Sequence, residues 1–495
     1  MALPFDYGDL HGGINLKDKA DLLTDNQSPD LMNVQGTTTG AITRRLGCAN
    51  QGTFTTAIGR LGATNALESA ANTPYLIYGE GTKTWSIDLL GVHDISGVLT
   101  PTVGQWVNAV AVGGQGPIYG ISVTPVQWTG TGNIATWSNT SGAVTVPPGR
   151  YGVYHQNQLF IAGTAVVPVG GAAATDPYSR LYWSAIADPT NWDSASNTGA
   201  GFIDLDPGDG QPITGLGVIG PYVLVFKPYK TWVLVDPATA TVRKISENVG
   251  CGVNDSIASS PQGTFFLSED RGVCVTDGTK ITPIGDLILP DMSGPAQTAA
   301  AAYYQAHYYI TSPISGYTYD YDTILQSWWR HDLACRGFAV VGQAFPGINP
   351  PANGLYAVRF HQAAATTVAQ LFVPNLYTDE FATMNWHWYG PWQSPSFYRR
   401  RRFPTPYYQK RLTQVRTRGY GNLNFDYAVN YDVSTATNVA TNVYGTTGTI
   451  PLKSRHFSFG VADTFQMRFS GADANPAALY DYTLYVTDRT DQASS

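Results

Sequence analysis

GPYVLVFKPYKTWVLVD, residues 220–236, decides the fold class. Two apolar, β-branched and aromatic runs flank a short Lys-Pro-Tyr-Lys turn, the pattern of two strands joined by a tight hairpin. Neither run is long enough or spaced correctly for a helix. The same plan recurs along the chain. PYLIYG (74–79) leads to GTKTWSID (81–88), and YGVYHQNQLFIAG (151–163) leads to SRLYWSAI (179–186). QGTFFLSEDRGVCVTDGTKITPIG (262–285) repeats it within one stretch. AYYQAHYYITSP (302–313) is followed by YTYDYDTILQSWWRHD (317–332), and RGFAVVGQA (336–344) by NGLYAVRF (353–360).

Between about Leu61 and Val373 the units return at roughly 35–55-residue intervals, close to the ~40–50 residues of a β-propeller blade. One four-stranded sheet cannot bury both faces, whereas a ring of them buries each against its neighbours. Trp85, Trp183, Trp232 and Trp328 stand at comparable places and are expected to fill the wedges between blades. The expected fold is all-β: an irregular propeller of about six blades over 56–380, preceded by an extended N-terminal arm (1–55) and followed by a β-sandwich-like domain (381–495). NALESAAN (65–72) and AQTAAAAYY (296–304) have room for a helical turn or two, no more. GTAVVPVGGAAATDPYS (163–179) reads as an exposed loop. From Trp386 onward, LTQVRTRG, LNFDYAVNYD, RHFSFG, FQMRFSG and YDYTLYVTD alternate as sandwich strands.

Composition narrows the function. The chain has 495 residues, of which 12% are aromatic and 13% charged. That charged share is about half the usual one. Such a surface suits a protein covered by partner chains. The net charge of −7 argues against a general nucleic-acid binder. Cys48, Cys251, Cys274 and Cys335 have no metal-binding spacing and are expected to be reduced, partly buried thiols. The first residues lack a secretory signal, and no apolar run reaches the ~18 residues that cross a bilayer, so a chain made and folded in the cytosol is expected, without stable membrane insertion.

No catalytic pattern emerges. The eight histidines are dispersed. HExxH, GxSxG and Gly-rich phosphate loops are absent from the sequence. Ser327, Asp322 and His331 are near in sequence, which makes no triad. YGEGTKTWS departs from the Asp-x-Gly-x-Thr-Trp turn of sialidase-like propellers, with Glu80 in place of Asp and an extra residue between Gly81 and Thr84. Asp204, Asp206 and Asp209 offer hard oxygen ligands to a cation such as calcium but lack EF-hand spacing, and they are read as a solvated turn. No catalytic residue, cofactor or metal is assigned, and the chain is not expected to be an enzyme.

The strongest local charge is basic: Arg399, Arg400, Arg401, Arg402, Lys410, Arg411, Arg416 and Arg418, with no acidic residue between Phe381 and Asn424. The preferred reading is an intersubunit contact with acidic loops of a neighbouring chain; nucleic-acid binding and a solvated strand face are the alternatives. On LTQVRTRG, Gln414, Arg416 and Arg418 share one face, opposite Val415 and Thr417.

The opening GGINLKDKADLLTDNQSPDLMNVQGTTTGAITRRLGC has no hydrophobic period. Its Gly12, Gly13, Asn15, Asn26, Asp30, Asn33, Val34, Arg44, Arg45 and Gly47 resemble the N-terminus of phage tail proteins. Trp183, Ser184, Asp188, Pro189, Trp192, Ile213, Gly215, Leu216, Phe226 and Lys227 resemble the same family, the β-propeller nozzle or tail tubular proteins of short-tailed bacteriophages. The resemblance covers Gly12 to Trp232 by motif. It implies a virion structural protein assembled in the host cytoplasm. It further implies a homo-oligomeric ring, usually a hexamer, at the distal tail. There the ring docks an adaptor or tail-tube protein and tail fibres and lets phage DNA pass without sequence-specific binding. It also makes the opening an arm ordered on assembly, anchored by Leu22, Leu23, Leu31 and Val34. The rival function is a receptor- or glycan-binding tail-tip protein, with Trp386, Trp388 and Trp392 as sugar platforms.

Overall fold

The computed structural model describes the backbone of residues 3–488 except 20–21, 55–60, 69–73, 81–82, 89–90, 100–104, 109–116, 140–142, 165, 197–198, 294–298, 342–353, 361–365, 380–381, 392–409, 422, 430–431, 441–451, 457–460, 463–464 and 474. The chain forms two units: a ring unit, Asn50–Gly316 with Leu333–Leu371, and a sandwich unit, Met1–Ala49 with Tyr317–Asp332 and Phe372–Ser495.

The ring unit is an all-β propeller. Five complete four-stranded antiparallel sheets follow one another in sequence. Blade one spans Leu61–Asp94, blade two Gln105–Thr136, blade three Tyr151–Asp204, blade four Gly215–Ser246 and blade five Ala258–Pro283. Blade six contributes its inner hairpin, Ala301–Tyr304 and His307–Thr311. Blade seven contributes Cys335–Val341, Gly354–Phe360 and the strand from Thr366. The first strand of each blade packs beside the first strand of the next, and that of blade seven returns to that of blade one. The ring therefore has seven positions, one more than the about six expected. The one missed is blade two, whose outer strands, Val126–Trp128 and Ala135–Thr136, are too short to give a periodic signal.

The middle strands are buried on both faces because a blade stands on each side of them, so they read as continuous apolar runs. In blade four Tyr222–Phe226 and Thr231–Asp236 behave this way, while the outer strand Thr241–Ser246 is largely wet. Alternation then assigns side chains to opposite neighbours. Val223 and Val225 pack with Phe160, Leu181 and Trp183 of blade three. Leu224 and Phe226 pack with Phe266 and Cys274 of blade five. Trp106 and Trp128 fill the wedge of blades one and two, and Trp137 and Trp192 that of blades two and three. Of the expected wedge residues, Trp183 and Trp232 are buried here, Trp328 is buried in the sandwich unit, and Trp85 is half-buried under the Lys83 ammonium.

Among the described residues the sandwich unit holds two large sheets and, apart from them, the hairpin Thr318–Asp322/Ser327–His331. One contains Leu3–Tyr7, Ala478–Asp488, Lys410–Tyr420, Leu452–His456 and the hairpin Val34–Gly36/Ile42–Arg44. The other contains Asp30–Met32, Ala382–Tyr389, Phe465–Asp473, Asn424–Val429 and Asp432–Ala440. Their inner faces meet through aromatic rings: Trp388 and Phe469 of the second sheet lie 6.2 and 5.3 Å from Tyr482 of the first, which also stacks on Tyr7 at 4.5 Å. The sandwich therefore draws on both chain termini and not on 381–495 alone. The opening segment is extended, as expected, and its strands are built into these sheets.

Candidate functional site

The polar residues of the opening signature converge on one buried junction inside the sandwich unit. Gly13 adopts φ +74°, a conformation that favours glycine, and a methyl there would collide with the Trp328 carbonyl. That carbonyl accepts from the Ile14 N–H at 2.8 Å. Asn15 Oδ1 accepts the Lys17 and Asp18 N–H groups, an Asx-type turn. Asn33, at φ +57°, is the hub: its N–H donates to Arg330 O, and its Nδ2 to Asn385 O at 2.7 Å. Its Oδ1 accepts from Arg45 Nε and from the Asp332 N–H, each at 2.9 Å. Arg45 is fully buried and grips Asp379 with both terminal nitrogens, at 2.9 and 2.6 Å. Arg44 donates to the carbonyls of Asn475, Tyr377 and Met384. Asp30 pairs with Arg330 and His387. Burial pushes the Asp30 carboxyl up, but those two partners together outweigh it and hold it below the ordinary value.

The expected anchors divide. Leu23, Leu31 and Val34 are buried, whereas Leu22 is 72% exposed. A lone apolar residue in a turn carries no period, so the sequence has no signal that separates Leu22 from Leu23.

The carboxylates at 204–209 form neither a solvated turn nor a cation cage: each is paired with cationic side chains. Arg180 grips Asp204 at 2.6 and 2.7 Å and holds the 163–179 loop through the Ala172 and Ala173 carbonyls. Asp206 accepts from Lys230 and Lys244 at 3.0 and 2.6 Å. Asp209 accepts from Lys227 and Lys230, both at 2.8 Å. Lys227, fully buried, also donates to Ser179 Oγ at 2.9 Å. Burial raises the Asp209 pKa, but Lys227, Lys230 and the Gln211 N–H outweigh it and bring it to about 2. Other signature residues in this region are structural too. Asp188 caps Thr190, and Trp192 Nε1 donates to Pro189 O.

At the ring axis, Gln105 Oε1 accepts from the Gly152 N–H at 3.0 Å and from Asn254 Nδ2 at 3.3 Å. Asn254 Oδ1 accepts from the Leu216 N–H at 3.2 Å. Blades two and five are not neighbours, so the Gln105–Asn254 bond crosses the central channel. The inner strands of blades two to five start together at this end.

The basic patch is described in part. Arg399, Arg400, Arg401 and Arg402 lie outside the described residues, as do the side chains of Lys410 and Arg411, whose backbones begin the strand Lys410–Tyr420. Arg418 pairs with Asp481 across the sheet, and the Arg416 guanidinium lies over Tyr485. Val415 and Thr417 point inward and Arg416 and Arg418 outward, following the two-residue period. Trp386 and Trp388 are 3% and 0% exposed, so neither is a sugar platform; Trp392 lies outside the described residues. His331 is buried with Nε2 3.5 Å from Asp320, Asp322 caps Ile324 and Leu325, and Ser327 Oγ accepts from Trp329. These residues hold a hairpin together.

No protein-family model matches the chain, and no curated protein matches it. Solved structures share its architecture. The Pan2 WD40 domain of Neurospora crassa is 10% identical with a TM-score of 0.39, over 66% of this chain and 97% of that one. BBS1N in complex with ARL6DN, soaked with lead, is 10% identical with a TM-score of 0.36, again over 66% and 97%. Apo AztD from Citrobacter koseri is 14% identical with a TM-score of 0.31, over 54% and 84%. These are likenesses of architecture and carry no functional argument.

Proposed function

We propose that this chain is a virion structural protein of a tailed bacteriophage, a tail nozzle or hub whose copies form a ring at the distal tail. One observation carries the reading. The residues of the opening signature, Gly13, Asn33 and Arg45 above all, are spent on one buried polar junction with the strands 317–332 and 378–389. A motif used this way specifies an architecture and not a reaction. The low charged share, 13%, fits a surface covered by other chains. Because the Gln105–Asn254 bond crosses the propeller's own channel, a genome conduit in such an assembly runs between copies of the chain, not through one propeller.

The test is the mass of the purified chain in solution, alone and mixed with the adaptor or tail-tube protein encoded beside it. A closed ring, alone or on mixing, supports the nozzle reading. A monomer that ignores tail proteins sinks it.

A further inference from the structure

Residues 95–149 contain no Asp, Glu, Lys, Arg or His. At the chain's own charged share of 13%, such a span would carry about seven charges. It takes in all of blade two, Gln105–Thr136, and most of the link to blade three. The blade-three loop 163–175 is likewise without charge, and Arg150 is the one Asp, Glu, Lys or Arg between 95 and 175. Blades one, three, four and five, by contrast, each carry charges of both signs.

The described parts of this stretch are bonded into one sector of the ring unit. The Gly149 N–H donates to Ser122 O and the Trp137 N–H to Pro125 O, both at 3.0 Å, so the 122–125 turn sits on the link between blades two and three. From that link the Thr145 N–H donates to Val169 O at 3.0 Å, and the Val169 N–H returns to Thr145 Oγ1 at 2.9 Å. Gly170, at φ +79°, lies where a methyl would meet the Ala143 carbonyl at 2.4 Å. The buried Arg180 pins the far end of the loop, donating to the Ala172 and Ala173 carbonyls at 2.7 and 3.0 Å. Held at both ends, the loop turns apolar side chains outward: Val166 is 52% and Val169 77% exposed, and Val123 on the neighbouring turn is 65% exposed. A hairpin connection this long is uncommon, since most run to about two to five residues, and long ones are usually functional.

We propose that this sector is where a second copy of the chain docks. The inference rests on the assembly reading above and names the surface that the assembly uses. An uncharged apolar surface fits a facing surface that is also uncharged, because a charge buried against it loses its water without gaining a partner. Nucleic acid and other polyanions bind through cations, which the 122–125 turn and the 163–175 loop lack. Charge also selects the occupant. The chain carries −7, so two copies repel each other over most of their surfaces. A sector free of charge is where copies approach without like charges meeting. Interfaces between identical chains are accordingly the more apolar class, with charge depleted from their cores. The loop is fixed before docking, so little freedom is lost when the contact forms.

The test is sedimentation of the full chain over a range of concentrations, alone and with the adaptor or tail-tube protein, under whichever condition the parent assembles. Val123→Asp combined with Val169→Asp places two carboxylates on the exposed tips. A circular dichroism spectrum and thermal melt matching the parent show that the variant folds. The expected result is association between copies weakened at least about tenfold. Ile314→Asp, on the turn after the blade-six hairpin and 55% exposed, should leave it within about twofold. Unchanged association in the double variant, or equal weakening by Ile314→Asp, overturns this contact and leaves the ring reading standing. Unchanged association together with lost adaptor binding would give the sector to the adaptor instead. A parent that stays monomeric under both conditions removes the ring reading and this contact with it.

Discussion

Asn254 donates to Gln105 across the axis of the ring, from the segment before blade five to the first residue of blade two, 149 positions away in sequence. The same Gln105 oxygen accepts the Gly152 N–H of blade three. One carboxamide thus ties three blades together where the inner strands start. Gln105→Ala leaves two donors without their acceptor, which costs about 1–3 kcal/mol if water does not replace it. Chemical denaturation should show that loss. Hydrogen exchange should show faster exchange at Gly152. Unchanged exchange there would mean the bond does not hold the axis.

The ion-pair group around Lys227 predicts an acid limb to stability. The Asp209 carboxyl is depressed to about 2, so its contribution is fully present above the ordinary carboxylate value of about 3.9 and is lost as pH falls toward 2. Asp209→Asn should therefore be less stable than the parent at pH 6, with the gap closing between about pH 4 and 2. Lys227→Met, which removes a buried ammonium from Asp209 and Ser179, should cost about 2–3 kcal/mol at neutral pH. Thermal melts across pH check both, and a pH-independent gap for Asp209→Asn would refute the pairing.

Arg45 is a fork and not merely a charge. It meets Asp379 with two nitrogens and Asn33 with a third. Lysine cannot reproduce that geometry, so Arg45→Lys should destabilise by about 3 kcal/mol, near the low end for breaking a buried pair. Urea denaturation followed by tryptophan emission reads it, since Trp328 and Trp388 report on the same unit. A loss under about 0.5 kcal/mol, ordinary for a surface site, would reject the junction.

The opening segment offers an internal contrast. Leu31 is fully buried and Leu22 is 72% exposed. Leu31→Ala should cost about 2–5 kcal/mol and Leu22→Ala no more than about 0.5. Equal effects in denaturation would mean the segment is not built into the sandwich as described. If Leu22→Ala leaves stability alone yet shifts the solution mass, Leu22 serves a contact with another chain.

Local pattern carries far in this protein. Runs such as Tyr222–Phe226 and Thr231–Asp236 announce paired strands, and their recurrence announces a ring, because a period of two and a tight turn are properties of neighbouring residues. The alternation of Val415 and Thr417 against Arg416 and Arg418 is legible for the same reason. Blade two was not legible, since its outer strands of three and two residues rely on pairing and not on pattern. Tertiary structure alone decided the rest. Asp206 and Asp209 look like ligands until Lys227, Lys230 and Lys244 reach them from the neighbouring blade. Trp386 and Trp388 look like a platform until two sheets close over them. Arg45 finds Asp379 334 residues away, and Gln105 finds Asn254 only when the ring has closed. A residue's type sets which bonds it can make. Which partner is within 3 Å is set by long-range packing, and no local stretch of sequence contains that distance.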